Sequence, residues 1–428
     1  MDNLNGHNSY RRNHYVPEWY QKRFLNPGQF KLWHLDMKPG VRESNCHTWI
    51  PKSITQRGPD GCFRENDLYT TKFGSFTNTE IERLFFGRID GSAEFAINHF
   101  EKLELNESTD EAFNIFVPYL SLQKLRTPKG LAALRQLVGN NDRNQLLLAL
   151  QKFKNLFCAI WTECVWQIAD ASSSATKFIV SDHPVTVYNR ECFPDSKWCQ
   201  GDADPEITRV ASHTVFPLSL QKILILTNLA WVRDPYQNPL SIRPNPKLLR
   251  QPALFNFTEI QFDRFLSQEE VIEINYVIKR RARRYIAAAE REWLFPEKHL
   301  SCDHWRKLGD GYLLMPDPRH VFTGGEMVVG YSGGTYDWFS AYGHRPWQKG
   351  YENKNRDDRE WNALNRFKAE WSATYGPNYR GLSRSFGQME DPQKSEGIDY
   401  HNEEVERDKA YRKQPGERQR RRQLSRPK

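Results

Sequence analysis

Several polar residues in this sequence could do chemistry, and they fall into short clusters. His14 opens His14-Tyr-Val-Pro-Glu-Trp-Tyr20, just before a helix start. An imidazole there can serve as general acid or base, bind a metal or donate to a carbonyl; a packing role shared with Tyr20 is the plainer alternative. Gln123 and Arg126 stand three apart in Gln-Lys-Leu-Arg-Thr-Pro128, so they leave a helix on neighbouring faces. Arg126 sits beside leucines 120, 122 and 125, and an unpaired buried charge there costs several kcal/mol. It must therefore meet a phosphate or an acid such as Glu82 or Asp182. Asp182 follows Phe178-Ile-Val180 and precedes Pro184, a strand end or turn where catalytic acids are displayed and where Asp also makes simple Asx turns. Glu82 and Asp90 lie eight residues apart, about 12 Å along a helix and about 80° around it, so they can line one groove but cannot share one metal ion.

These groups need elements to hold them. The spacing predicts a short helix over 14–27, strands over 29–36 and 62–71, and a helix over 78–103 begun by a Thr77/Glu80 capping box. A helix over 111–126 ends at Thr127-Pro128, where Thr127 can cap and Pro128 can open the next helix. A further helix is expected over 143–168, followed by strand pairs in 177–189 and 213–228. The capping box Ser267-Gln-Glu-Glu270 starts a last long helix expected to reach Trp293. Asn275 lies on its half-buried face and needs partners there. The stretch Lys279-Arg-Arg-Ala-Arg-Arg284 wraps cations around that helix and offers Arg280, Arg281 and Arg284 to a phosphate backbone or to solvent. The fold class is α+β: a mainly helical domain over 10–300 with a small antiparallel sheet, a Gly- and aromatic-rich irregular extension over 301–350, and a charged, largely disordered tail over 351–428.

Four motifs occur in order: His14-Tyr15-x-Pro17-x-x-Tyr20-x-x-x-Phe24, Gln123-x-x-Arg126-Thr-Pro128, Ser181-Asp182-x-Pro184-Val185 and Phe216-Pro-Leu-Ser219. Together they resemble the bacterial domain-of-unknown-function family numbered 4238, over roughly residues 13–290, with Glu82, Asp90 and Asn275 also similar. The resemblance implies a family and no activity.

The charge of the chain is +8 over 428 residues, but eight Lys or Arg against one acid in 411–428 account for seven of those charges. The body is near neutral, so the basic tail says little about the folded part. Aromatics at 13% can close a sizeable core. Seven scattered cysteines argue against a disulfide framework and fit no zinc spacing. The start is polar, without the apolar core of a secretory signal, and no apolar run reaches the roughly 18 residues of a membrane span. A cytoplasmic protein with no membrane partner is the expectation. P-loop, Rossmann, G-x-S-x-G and RNA-binding signatures are missing.

Two readings follow. In the first the chain is a nuclease or other phosphodiester hydrolase: His14 is acid/base, Glu82 and Asp182 are acids or metal ligands, and Arg126 holds a phosphate. Tyr20, Gln123, Asn275, Arg280, Arg281 and Arg284 then bind substrate, RNA or DNA, with a divalent metal as the candidate cofactor. In the second, the same residues form a structural polar network inside a noncatalytic nucleic-acid or protein binding module. A role in bacterial defence is compatible with either. Clustering around one open cleft favours the first; burial with mutual satisfaction favours the second.

Overall fold

The computed structural model describes residues 12–44, 47–73, 76–78, 85–139, 142–244, 255–302, 304–308, 312–324, 326–330, 336–340, 342–383 and 406. The N-terminal part runs β1 (Arg12–His14), α1 (Glu18–Lys22), β2 (Leu32–Asp36), β3 (Arg42–Ser44), β4 (His47–Trp49) and β5 (Ile54–Arg57). Then come β6 (Arg64–Asn66), β7 (Thr71–Phe73), β8 (Phe76–Asn78) and four helices, α2 (Gly87–Lys102), α3 (Thr109–Arg126), α4 (Pro128–Val138) and α5 (Arg143–Lys152). The short α6 (Cys158–Thr162) leads into β9 (Cys164–Asp170), β10 (Val180–Ser181), β11 (Thr186–Tyr188), β12 (His213–Pro217) and β13 (Lys222–Asn228). The remainder is α7 (Leu229–Arg233), β14 (Gln261–Phe265), α8 (Gln268–Arg281), β15 (Tyr285–Ala288), β16 (Glu326–Gly330), β17 (Tyr336–Ser340) and α9 (Lys354–Tyr375).

The architecture is mixed α+β, with more sheet than the one small antiparallel sheet expected. A five-stranded sheet has the order β11-β12-β13-β9-β14, with β14 parallel to β9, and a four-stranded antiparallel sheet has the order β10-β15-β2-β5. Helix α3 is buried on every face along its C-terminal half, apolar residues and the polar Gln123, Lys124 and Arg126 alike. Phe113 and Phe116 of α3 and Phe100 of α2 meet Trp166 of β9, and Tyr119 meets Phe216 of β12. The family-like segments therefore share one core.

Local signals hold where a side chain answers its own backbone. Thr127 accepts the Gly130 N–H at 3.1 Å to open α4, and Ser267 and Glu270 close the reciprocal box of α8. Where pairing is remote, the expectation needs correction. The helix expected over 143–168 breaks into α5 and α6, and Cys164–Asp170 becomes a strand because its β-branched and aromatic run pairs with β13 and β14. Helix α8 stops at Arg281 instead of Trp293, and Tyr285–Ala288 joins the four-stranded sheet. The cations of 279–284 thus do not wrap one helix. The expected start of α2 at Thr77/Glu80 falls on β8 and on residues outside those described.

The largely disordered tail expected from 351 is corrected over 354–375, which form α9. Leu364, Phe367 and Trp371 pack with Val210, Ala211, Trp231 and Val232 into a second core. Spacing of three, four and four along α9 puts those apolar side chains and Tyr375 on one stripe. Among the described residues no helix is long and apolar enough to cross a membrane.

Candidate functional site

His14 ends β1 with its side chain 18% exposed; Nε2 lies 3.0 Å from the Asp60 carbonyl and Nδ1 3.4 Å from Glu18. Tyr20, one helix turn further along, is fully buried: its hydroxyl donates to the Pro217 carbonyl at 2.5 Å and its ring stacks on Phe216. That contact joins the first and fourth motifs directly.

The second motif ends α3. Arg126 is 1% exposed, ion-paired with Asp90 at 2.9 Å, and donates from Nε to Gln123 Oε1 at 2.6 Å. Its guanidinium also lies over Phe86 and near Tyr119. Gln123 uses its amide nitrogen on the Tyr15 carbonyl at 2.9 Å, which ties the second motif to the first. The acid that Arg126 meets is Asp90, a partner not expected from the sequence, and not the expected Asp182. Glu82 lies outside the described residues.

The third motif answers the end of α8. Asp182 is 4% exposed, and its carboxylate accepts three backbone N–H groups: Arg283 at 2.9 Å on Oδ1, then Arg284 at 2.7 Å and Tyr285 at 2.9 Å on Oδ2. This cradle stops the helix and registers β15 beside β10. Burial raises the Asp182 pKa while the three N–H groups pull the other way. Asn275 is fully buried, accepting the Ile179 N–H and donating to the Lys177 carbonyl at 2.8 Å, so it clamps the chain leading into β10.

The basic stretch divides. Arg281 is buried, donates to the Cys192 carbonyl and lies over Trp305 at 4.7 Å. Arg284 grips Asp36 with two bonds of 2.9 Å, a bidentate pair across the four-stranded sheet. Arg280 points to solvent.

A tighter cluster lies between these motifs, and the sequence reading missed it. Asp204 takes Lys124 at 2.5 Å on Oδ2, Lys129 at 2.5 Å on Oδ1 and His183 Nε2 at 2.9 Å. His183 Nδ1 is 2.7 Å from Thr127 Oγ1. Burial pulls the His183 pKa down to about 4, so the ring is neutral at pH 7. Burial lowers Lys124 as well. Burial pushes the Asp204 carboxyl up, but Lys124, Lys129 and His183 outweigh it and hold it well below the usual range. Lys124, Lys129 and His183 stand inside or beside recognised motifs and could have been weighed there. Asp204 comes from a polar loop without any sequence signal.

Thr127, His183 and Asp204 have the connectivity of a hydroxyl–imidazole–carboxylate relay. Yet Thr127 is fully buried and His183 is 1% exposed, and the same hydroxyl caps α4. A substrate carbonyl or phosphorus has no approach to that oxygen in this conformation. Among the described residues no group of three or more His, Cys, Asp or Glu is arranged to hold a metal ion.

The described members of the expected set are thus not arranged around one open cleft. His14 is at a partly open edge, while Tyr20, Gln123, Arg126, Asp182, Asn275 and Arg281 are enclosed. Comparison with known proteins matches neither a curated protein nor a solved structure. The family model described as "Protein of unknown function (DUF4238)" matches residues 12–156 and 151–292, spanning all four motifs. The chain belongs to that family.

Proposed function

We propose that this chain is a noncatalytic binding module and that its family motifs are a buried frame. Asp182 carries the reading: both carboxylate oxygens of this expected acid or metal ligand are held by three backbone N–H groups. A carboxylate so engaged is 4% exposed and its oxygens serve the backbone, which leaves a substrate proton little access to it. Gln123 and Asn275, expected to position substrate, likewise hold backbone carbonyls and an N–H. RNA and DNA are the partners to try first, through solvent-facing cations such as Arg280.

The hydrolase reading keeps one specific support, the Thr127–His183–Asp204 relay. The two are separated by offering the purified protein activated acyl and phosphoryl esters together with RNA and DNA. The binding module gives reversible, salt-sensitive association and no product. Product formation abolished by Thr127→Val in a protein that still folds would establish the relay as catalytic.

A further inference from the structure

A cavity of about 570 Å³ lies at the end of the five-stranded sheet, away from the motif frame. Its walls come from the α6–β9 junction, the start of α7, the approach to β14, and segments beyond the family match at 320–324, 342 and 360. The volume suits a small organic molecule. Phe255, Phe322 and Tyr342 are among the aromatic residues of its lining.

Two of the polar groups there stand out. Asn228 is 3% exposed; its Oδ1 accepts the Ala230 N–H at 3.0 Å to cap α7, while Nδ2 is buried without a partner among the described residues. A buried amide N–H left unmet is costly, so a ligand acceptor is its natural complement. Glu360, 8% exposed, reaches the cavity from α9 and makes no hydrogen bond to a described residue. Burial raises its pKa against the pull of Arg233, and the carboxyl can accept a ring N–H in either protonation state.

The cations of the lining are held by neighbouring groups, although Arg243 Nε is buried without a partner among the described residues. Arg243 pairs with Glu163, and Arg233 donates to the Phe322 and Gly324 carbonyls. Three acids of the lining, Glu163, Glu259 and Glu360, outnumber its two arginines, Arg233 and Arg243, so a phosphate would meet no net positive charge, whereas a flat ring bearing acceptors and an N–H would find aromatic side chains, buried N–H donors and a carboxyl.

We propose that this cavity binds an uncharged planar heteroaromatic of the nucleobase or nucleoside class, with Asn228 Nδ2 donating to a ring acceptor and Glu360 meeting a ring N–H. The site is separate from the motif frame, so this stands whether or not the frame is catalytic.

Calorimetric titration of the full chain with adenosine, guanosine, cytidine and uridine, their 5′-monophosphates and short single-stranded oligonucleotides tests it. At least one nucleoside should bind with a Kd on the order of 100 µM or tighter, and its monophosphate about ten-fold more weakly. Asn228→Asp keeps an oxygen for the α7 cap but turns the donor into an acceptor, and should weaken binding about ten-fold in protein that still folds. Ala230→Phe, which fills the cavity from the α7 side, should abolish binding and serves if Asn228→Asp fails to fold. Oligonucleotide binding sensitive to both variants assigns the site to a base within a strand; exclusion of oligonucleotides assigns it to free nucleosides. Absence of nucleoside binding at about 1 mM, or binding indifferent to both variants, overturns the proposal.

Discussion

Replacing Asp182 by alanine removes the acceptor of three backbone N–H groups at once, those of Arg283, Arg284 and Tyr285. A hydrogen bond to a charged group is worth about 1.5–3 kcal/mol. The three donors are part-buried, so water regains some of each bond, and the lower end of that range applies. The expected loss is about 4 kcal/mol, a large share of the 5–15 kcal/mol typical of a folded domain. Asp182→Asn should fall between: one oxygen can still serve Arg283, but its amide nitrogen then faces the N–H groups of Arg284 and Tyr285. Urea unfolding followed by tryptophan fluorescence measures both variants against the wild type. An Asp182→Ala protein within about 0.5 kcal/mol of wild type would refute the cradle argument, because only surface substitutions are normally that mild.

Three other outcomes are expected. Gly130→Ala should destabilise by about 3 kcal/mol or prevent folding, because the added Cβ would sit 2.0 Å from the Lys124 carbonyl oxygen and 2.6 Å from that of Leu125, backbone atoms that cannot swing away; the yield of folded protein and Tm report it. Tyr20→Phe should keep the Phe216 stack but orphan the Pro217 carbonyl, costing about 1–2 kcal/mol in a denaturant titration. Acidification should be costly: His183 titrates near 6.5 when unfolded but at about 4 when folded, so its contribution is whole above pH 6.5 and is lost as pH falls toward and through 4. That amounts to about 2 kcal/mol at pH 5 for this ring alone, and a Tm–pH profile for His183→Gln should be correspondingly flatter below pH 6.5. Burial lowers His34, His213 and His320 in the same sense.

What the sequence revealed follows the range of each interaction. Thr127 capping α4 and Ser267 with Glu270 capping α8 are contacts over three residues, and both were readable. The need of Asn275 and Arg126 for partners was readable too, from polar groups set among apolar neighbours. Their partners were not: Lys177 is 98 residues from Asn275, and Asp90 is 36 residues from Arg126. The strand β9 was hidden because Trp161-Thr-Glu-Cys-Val-Trp166 continues an apolar helical run, and only pairing with β13 decides its period. Helix α9 was within reach, since Leu364, Phe367 and Trp371 keep helical spacing in a segment otherwise rich in charge. Asp204 was beyond reach, an acid in a polar loop whose importance exists only once Lys124, Lys129 and His183 surround it.

The central claim, that the shared motifs build rather than react, meets its most direct test in one hydrolysis measurement. Excess purified protein is incubated with end-labelled RNA and DNA, with and without magnesium or manganese, alongside a variant of the expected acid/base His14, whose side chain is partly open to solvent, His14→Ala. The account predicts no cleavage above buffer in any lane, from wild type or variant. Cleavage by the wild type that disappears in His14→Ala, with the variant's melting temperature unchanged, would contradict it.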